Sequence, residues 1–302
     1  MTHFRSTVVL VALGLIWGST FPLTKIAVST GYKPLGLIFW QLVFVATALF
    51  LISLARRVGP VLTRRTLSYF LAIALLGAIV PNSFSYLAAI HLPAGILGII
   101  IASVPIFSLG IALGLGLERP TWLRSVGVLL GLLAVIFLMA PQSSLPEPDK
   151  AVFVLVALVA PLCYGAEGNY IATRAPPNLD PVVTLLGAST TGIVIVWPLA
   201  VFTGSWVDLF KPWASPEWAL LTSSLFHVVA YTGYIWLVGI SGAVFASQVS
   251  YVVTVTAVFL SALILNESYS AWVWSALALM VVGLALVQPR GTEQSSSNGR
   301  NP

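Results

Sequence analysis

The feature that most constrains this chain is an apolar run repeated almost without interruption. Between Val8 and Leu15 there is no polar side chain. Comparable stretches of about twenty residues, the length a helix needs to cross ~30 Å of hydrocarbon, follow one another toward the C-terminus. Of 302 residues, 58% are hydrophobic and only 8% charged, with a mean hydropathy of +0.99, whereas a soluble domain carries roughly 25% charged residues. Too little polar surface exists to cover a core in water, so the lipid bilayer must be the solvent. In lipid only helices or a closed barrel satisfy the backbone. Barrel strands alternate apolar and polar residues over about ten positions, and these runs do not. The expected fold class is an all-α polytopic membrane protein.

Reading apolar runs between breakers gives ten spans: 7–29, 34–55, 67–90, 94–117, 121–140, 151–173, 181–202, 217–238, 244–265 and 271–288. Gly31-Tyr32-Lys33-Pro34, Arg56 to Arg65, Glu118-Arg119-Pro120 and Pro176-Pro177 mark chain reversals. With the amino terminus inside, Arg5, Arg56, Arg57, Arg64, Arg65, Arg119, Arg124, Arg174, Arg290 and Arg300 fall on the cytoplasmic side. Only Lys25, Lys33, Lys150 and Lys211 fall outside or near it. The positive-inside rule then places both termini in the cytoplasm. The net charge of +5 thus reports topology and gives no reason to expect a nucleic-acid partner.

Arg5 followed by an apolar stretch has the start of a signal peptide, but no small-x-small site closes the run before Trp17-Gly18, so it reads as a retained first span. The single cysteine, Cys163, excludes an intrachain disulfide framework and CxxC metal clusters. In the loop 203–218, Trp206, Phe210, Trp213 and Trp218 suit the outer aromatic belt. The tail 290–302, rich in Ser, Asn and Gly, reads as disordered.

An offset of 149 residues lays the fourth span over the ninth: Ala94 meets Ala243, Val104 meets Val253, and Glu118 meets Glu267 at the span's end. Trp17-Gly18 in the first span is echoed by Tyr164-Gly165 in the sixth. The chain therefore divides into a first five-helix repeat over 1–145 and a second over 146–289. Five is odd, so the second unit enters the membrane upside down. Inverted repeats of this kind underlie alternating-access transport, with the substrate between the halves.

These residues resemble the drug/metabolite transporter superfamily, EamA type: Trp17-Gly18-Ser19-Thr20-Phe21 with Lys25, ten spans in two halves, and a glutamate closing the fourth and ninth spans. The resemblance runs from residue 7 to about 288. It implies a ten-helix basket with a central cavity in the cell (inner) membrane. It also implies secondary or facilitated transport, often outward, of amino acids, small metabolites or toxic cations. Two departures bear on the substrate. Gln41 stands where the family often has an arginine, and Glu167 in the sixth span is not a general family feature.

Among intramembrane polar residues, Glu167 is the leading candidate, because a charge near the bilayer centre costs roughly 2.5–3.5 kcal/mol and so faces protein or water. It has two readings: a structural ion pair, with Arg174 two turns away as the available partner, or a cavity group for a substrate cation or coupling proton. Lys25 either snorkels to the outer headgroups or lines an outward vestibule. A direct Lys25–Glu167 pair is not expected, since they sit near opposite ends of their spans. Pro22 and Pro161 offer places where their helices bend. His227, Tyr231 and Tyr234 share one helix face at i, i+4 and i+7, and the offset carries Tyr231 onto Asn82, whose own i+4 neighbour is Tyr86. His227 is either a proton shuttle or a packing histidine. Trp17, Tyr164, Gln41, Gln248 and Tyr251 complete the expected lining. Glu118 and Glu267, at opposite surfaces, read as end-of-span residues that bond nearby helix amino termini, or as locks of closed states.

No HExxH, GxSxG, paired-aspartate or Walker pattern appears, so an enzyme and direct use of ATP are both disfavoured. No metal or cofactor is expected. One acid among many aromatics favours an amine, cationic or zwitterionic, drawn by the carboxylate and by cation–π contacts. The expected function is a secondary transporter of a small amine-containing metabolite, cationic or zwitterionic and including amino acids, with export its expected direction and proton coupling left open beside uniport. The alternative is a membrane sensor that binds such a metabolite without moving it. Oligomeric state stays open, since glycine-rich stretches such as 127–135 pack equally well within or between subunits.

Overall fold

The computed structural model describes residues 3–59, 62–117, 121–139, 148–241 and 246–287. Glu118, the reversal at Arg119-Pro120 and the tail 290–302 lie outside the described residues. Seven helices are long and apolar enough to cross a membrane, from Arg5–Val28 to Ser215–Ile240, and three shorter apolar helices, Ser125–Leu138, Val249–Leu265 and Ala271–Gly283, occupy the remaining expected spans. The fold is that of an all-helical polytopic membrane protein. The elements are α1 His3–Gly18, α2 Thr20–Val28, α3 Pro34–Arg56, α4 Arg64–Ala74, α5 Val80–His91, α6 Ala94–Ile101 and α7 Val104–Gly114. They continue as α8 Trp122–Met139, α9 Val152–Ala157, α10 Val159–Arg174, α11 Pro181–Phe202, α12 Ser215–Ser241, α13 Val249–Leu265 and α14 Ala271–Val287.

Local chemistry sets the ends. Thr63 and Thr66 form a reciprocal capping box that starts α4 before the apolar run itself begins. Asp180 accepts from the Val182 N–H at 2.8 Å ahead of Pro181, a combination suited to a helix start. Arg57 and Asn266 adopt left-handed conformations that close α3 and α13.

Prolines explain why the first, fourth and sixth spans are each two helices. Pro22, Pro105 and Pro161 sit in the first turn of α2, α7 and α10, where no bond to the i−4 carbonyl is required. The linking residues Ser19, Ala102, Ser103 and Leu158 all stay in the right-handed helical region. These spans kink without unwinding. In the third span, Pro81 follows a π-helical turn, Leu75–Ile79, in which the wider turn absorbs the missing bond.

The spans fasten into two faces. On one, Tyr32 donates to Glu217, Lys33 Nζ reaches the Gly204 carbonyl at 3.3 Å, and Lys211 lies 3.6 Å from Glu217. The loop after α11 lies on α3, with Trp206 against Phe39 and Trp40, while Phe210 is largely exposed. On the other face, Arg56 pairs with Asp180 at 2.9 Å. The fifth and tenth spans, α8 and α14, pack on each other, with Gly283 close against Gly127 and Gly131. The glycine-rich stretch 127–135 thus serves a contact within the chain, away from the centre.

Candidate functional site

A central cavity of about 100 Å³ is lined by both halves of the chain, room for several waters or one small metabolite. Its middle is Trp17, the last residue but one of α1, placed by the kink at Ser19. The Trp17 ring lies 5.7 Å from His227, 5.9 Å from Tyr231, 5.7 Å from Tyr234 and 6.4 Å from Tyr164, mostly edge to face. Such pairs lock ring orientation.

Glu167, on α10 past the Leu158 kink, is only 2% exposed and lines this cavity. The Tyr231 hydroxyl, from α12, donates to its Oε1. Gly77, in the π-helical turn, makes the space for this pair: a Cβ there would stand 1.9 Å from the Tyr231 hydroxyl and 2.1 Å from Glu167 Oε1. The described ion pairs, Arg56–Asp180 and Lys211–Glu217, do not involve Glu167, and Arg174 is exposed. The expected alternative of a structural Glu167–Arg174 pair is therefore not formed here.

A second polar group comes from the first repeat. Asn82 Nδ2 and the Tyr86 hydroxyl both donate to Gln41 Oε1, at 3.1 and 3.0 Å. The Tyr164 hydroxyl donates to Asn82 Oδ1 at 3.3 Å and ties this cluster to α10. Gln41 also lines the cavity, with its oxygen taken up by these two donors. His227 also lines the cavity, 8% exposed, with its ring against Trp17 and Tyr231.

Several expected residues are placed elsewhere. Lys25 Nζ donates to the carbonyls of Ala89 and Leu92 at 2.7 and 2.9 Å, where α5 ends, instead of lining the cavity. A lysine there satisfies carbonyls that a helix C-terminus leaves free. Tyr251 packs in the core and Gln248 links into α13, both away from the cavity wall. Tyr231 touches the site through Glu167. Glu267 accepts from the Ala94 and Gly95 N–H groups at the start of α6, and Glu118 lies outside the described residues.

The hydroxyls of the wall, Thr20, Thr24, Ser85, Ser223, Ser247 and Ser250, escape sequence reading. Serine and threonine bond back to preceding carbonyls in any helix, as Thr20 does to Trp17 at 2.6 Å, so nothing marks these as lining. Only Thr20, beside the proline-associated kink, carried a usable signal. No lysine or arginine lines the cavity among the described residues. Nor do three His, Cys, Asp or Glu side chains group to hold a metal there.

The EamA-like transporter family matches this chain twice, over residues 5–140 and 152–288. The chain is 26% identical over 283 residues to the uncharacterized inner membrane transporter YedA, in three strains of Escherichia coli, covering 92% of this chain and 89% of YedA. A solved crystal structure of a protein, 17% identical, covers 94% of this chain and 98% of its own, with a TM-score of 0.67. That likeness shows the fold.

Proposed function

The chain belongs to the EamA-like transporter family and is a membrane transporter, and on that premise we propose that its cargo is a small organic amine carrying net positive charge. The observation that carries the reading is Glu167, a buried carboxylate on the cavity wall with an aromatic cage beside it and no cationic partner among the described residues. A buried charge is costly unless paired. An ammonium in the cavity supplies that pair, and the faces of Trp17, Tyr164 and Tyr234 add cation–π attraction of ~0.5–2 kcal/mol each.

An amino acid needs an anion site as well. Lys25 is engaged at the end of α5, and the kinked helices keep their linking residues helical, so they do not open a nest of free amides. These features favour an amine without a carboxylate, its polar tail met by the Gln41 amide. When the amine leaves, a proton takes its place on Glu167, and His227 is the candidate relay. Competition for one carboxylate couples amine flux to a proton gradient. An inner-membrane location is in keeping with the likeness to YedA, an inner membrane transporter, the arginine distribution favours cytoplasmic termini, and export is the direction we propose.

The test is uptake into proteoliposomes of labelled quaternary and secondary amines and of labelled amino acids, with and without a pH gradient, on wild type and Glu167→Gln. Gradient-dependent amine flux that disappears in the variant is expected. Amino-acid flux that survives the substitution would make Glu167 structural, and binding of amines without flux would return the sensor reading.

A further inference from the structure

We propose that Glu267 is a latch across the two repeats. Its carboxylate holds the amino end of α6, and must release it before the cavity can open toward the face that carries residues 29–33 and 203–214. The proposal rests on the alternating-access reading and not on the identity of the cargo.

The closed seam is built from α6 of the first repeat and α13 of the second. At Gly98 a Cβ would meet the Ala257 Cβ at 2.4 Å, so the two backbones approach as closely as small residues allow. Thr254 Oγ1 adds a bond of 2.8 Å to the Gly98 carbonyl. Nearer the membrane surface, Glu267 Oε1 accepts from the Ala94 N–H at 2.7 Å, and Oε2 accepts from the Gly95 N–H at 3.1 Å and the Tyr269 hydroxyl at 2.7 Å. The two N–H groups are among those a helix start leaves without partners, and a carboxylate there gains from charge and dipole together. The Tyr269 hydroxyl stands where a Gly95 Cβ would be, at 2.1 Å. Burial, reinforced by the adjacent carboxylate, pushes the Tyr269 phenol upward, so it remains a donor. Leu97 and Ile100 on α6 and Val253 on α13 line the cavity directly beneath this seam.

Beyond the kink at Ala102 and Ser103 the same two spans part. There α7 leans on α10: Asn169 Nδ2 donates to the Ser108 carbonyl and hydroxyl at 3.0 and 3.1 Å, and Gly165 admits the α7 backbone. The first turns of α13 pack on α1 instead, with Gly14 against Val252. Val104, Ser247, Val249 and Ser250 line the cavity at this level. The molecule is therefore shut on the Glu267 face and parted on the other among its described residues. The offset that lays Glu118 over Glu267 also lays Ser247 over Gly98, Pro105 over Thr254 and Ser108 over Ala257. The parted seam lacks the glycine and the threonine that give the closed one its fit, so the duplicated scaffold is biased toward the state described.

Sided labelling tests this. In a Cys163→Ser background, Ser85→Cys reports access to the cavity and Thr30→Cys marks the Glu267 face. A membrane-impermeant maleimide is applied to each side of sealed vesicles holding the full chain. With the latch intact, the Ser85→Cys protein reacts from the side opposite to that of the Thr30→Cys protein. Glu267→Gln and, separately, Tyr269→Phe raise reaction from the Thr30 side several-fold. Gly98→Ala wedges the seam with the carboxylate untouched and produces the same shift. A shift in labelling without any amine flux upholds the latch and sinks the proposed cargo. Equal labelling from both sides in the parent protein, or no change in Glu267→Gln and Gly98→Ala proteins that elute as folded species, would overturn the latch.

Discussion

In the first repeat, Gln41, Asn82 and Tyr86 form a neutral hydrogen-bonded pole of the cavity. In the second, Glu167 and Tyr231 form an acidic one. The register that lays Glu118 over Glu267 brings Asn82 onto Tyr231, and the register of Trp17-Gly18 over Tyr164-Gly165 brings Thr20 onto Glu167. Equivalent places in and behind the wall thus carry an amide against a phenol and a hydroxyl against an acid. The comparison teaches that duplication supplies the scaffold, while divergence of the two copies gives the cavity unlike poles. A symmetric pair of acids would hold two cations or leave one buried charge unmatched.

The strongest way to break the comparison is to make the acidic pole neutral. Glu167→Gln is expected to lower amine transport by roughly a hundredfold or more, the scale of the ~3–5 kcal/mol lost when one member of a buried pair is removed, measured as initial uptake rate. Next, Tyr231→Phe removes a bond to a charged group worth ~1.5–3 kcal/mol, so amine affinity is expected to fall about ten- to hundredfold in equilibrium binding. Gly77→Ala places a methyl against two side-chain ends rather than backbone. Affinity is expected to drop about tenfold while thermal unfolding stays close to wild type. At the neutral pole, Gln41→Leu is expected to raise KM only a few-fold, about the worth of one neutral hydrogen bond, and to leave the pH-gradient response intact. Smallest for transport is Lys25→Met. It leaves the Ala89 and Leu92 carbonyls without their donor, so a loss of ~1–3 kcal/mol in stability is expected, with KM unchanged.

The fold was legible because the bilayer imposes it: length and continuity of the apolar runs locate spans whatever their partners are. Aromatic and charged residues on the wall were legible for a related reason, since Glu167, His227 and Trp17 need a protein or water environment wherever they sit. What stayed hidden depends on which face of a helix turns inward. Gln248, Val249, Ser250 and Tyr251 are consecutive in the ninth span, yet of the four only Val249 and Ser250 reach the cavity, a choice of face that apolar length does not set. Lys25 shows a second limit. Its partners are backbone carbonyls at the end of α5, which no side-chain pattern announces. The role of Glu267 at a helix start agrees with its place at the span's end, but the helix it caps lies in the other repeat.

The central claim is that one carboxylate serves both amine and proton, and it is tested most directly by proton release. Purified protein in a weakly buffered solution would be titrated with a quaternary amine while pH is recorded. About one proton per amine bound is expected to be released by wild type, and none by Glu167→Gln. Amine binding by wild type with no proton released would contradict it.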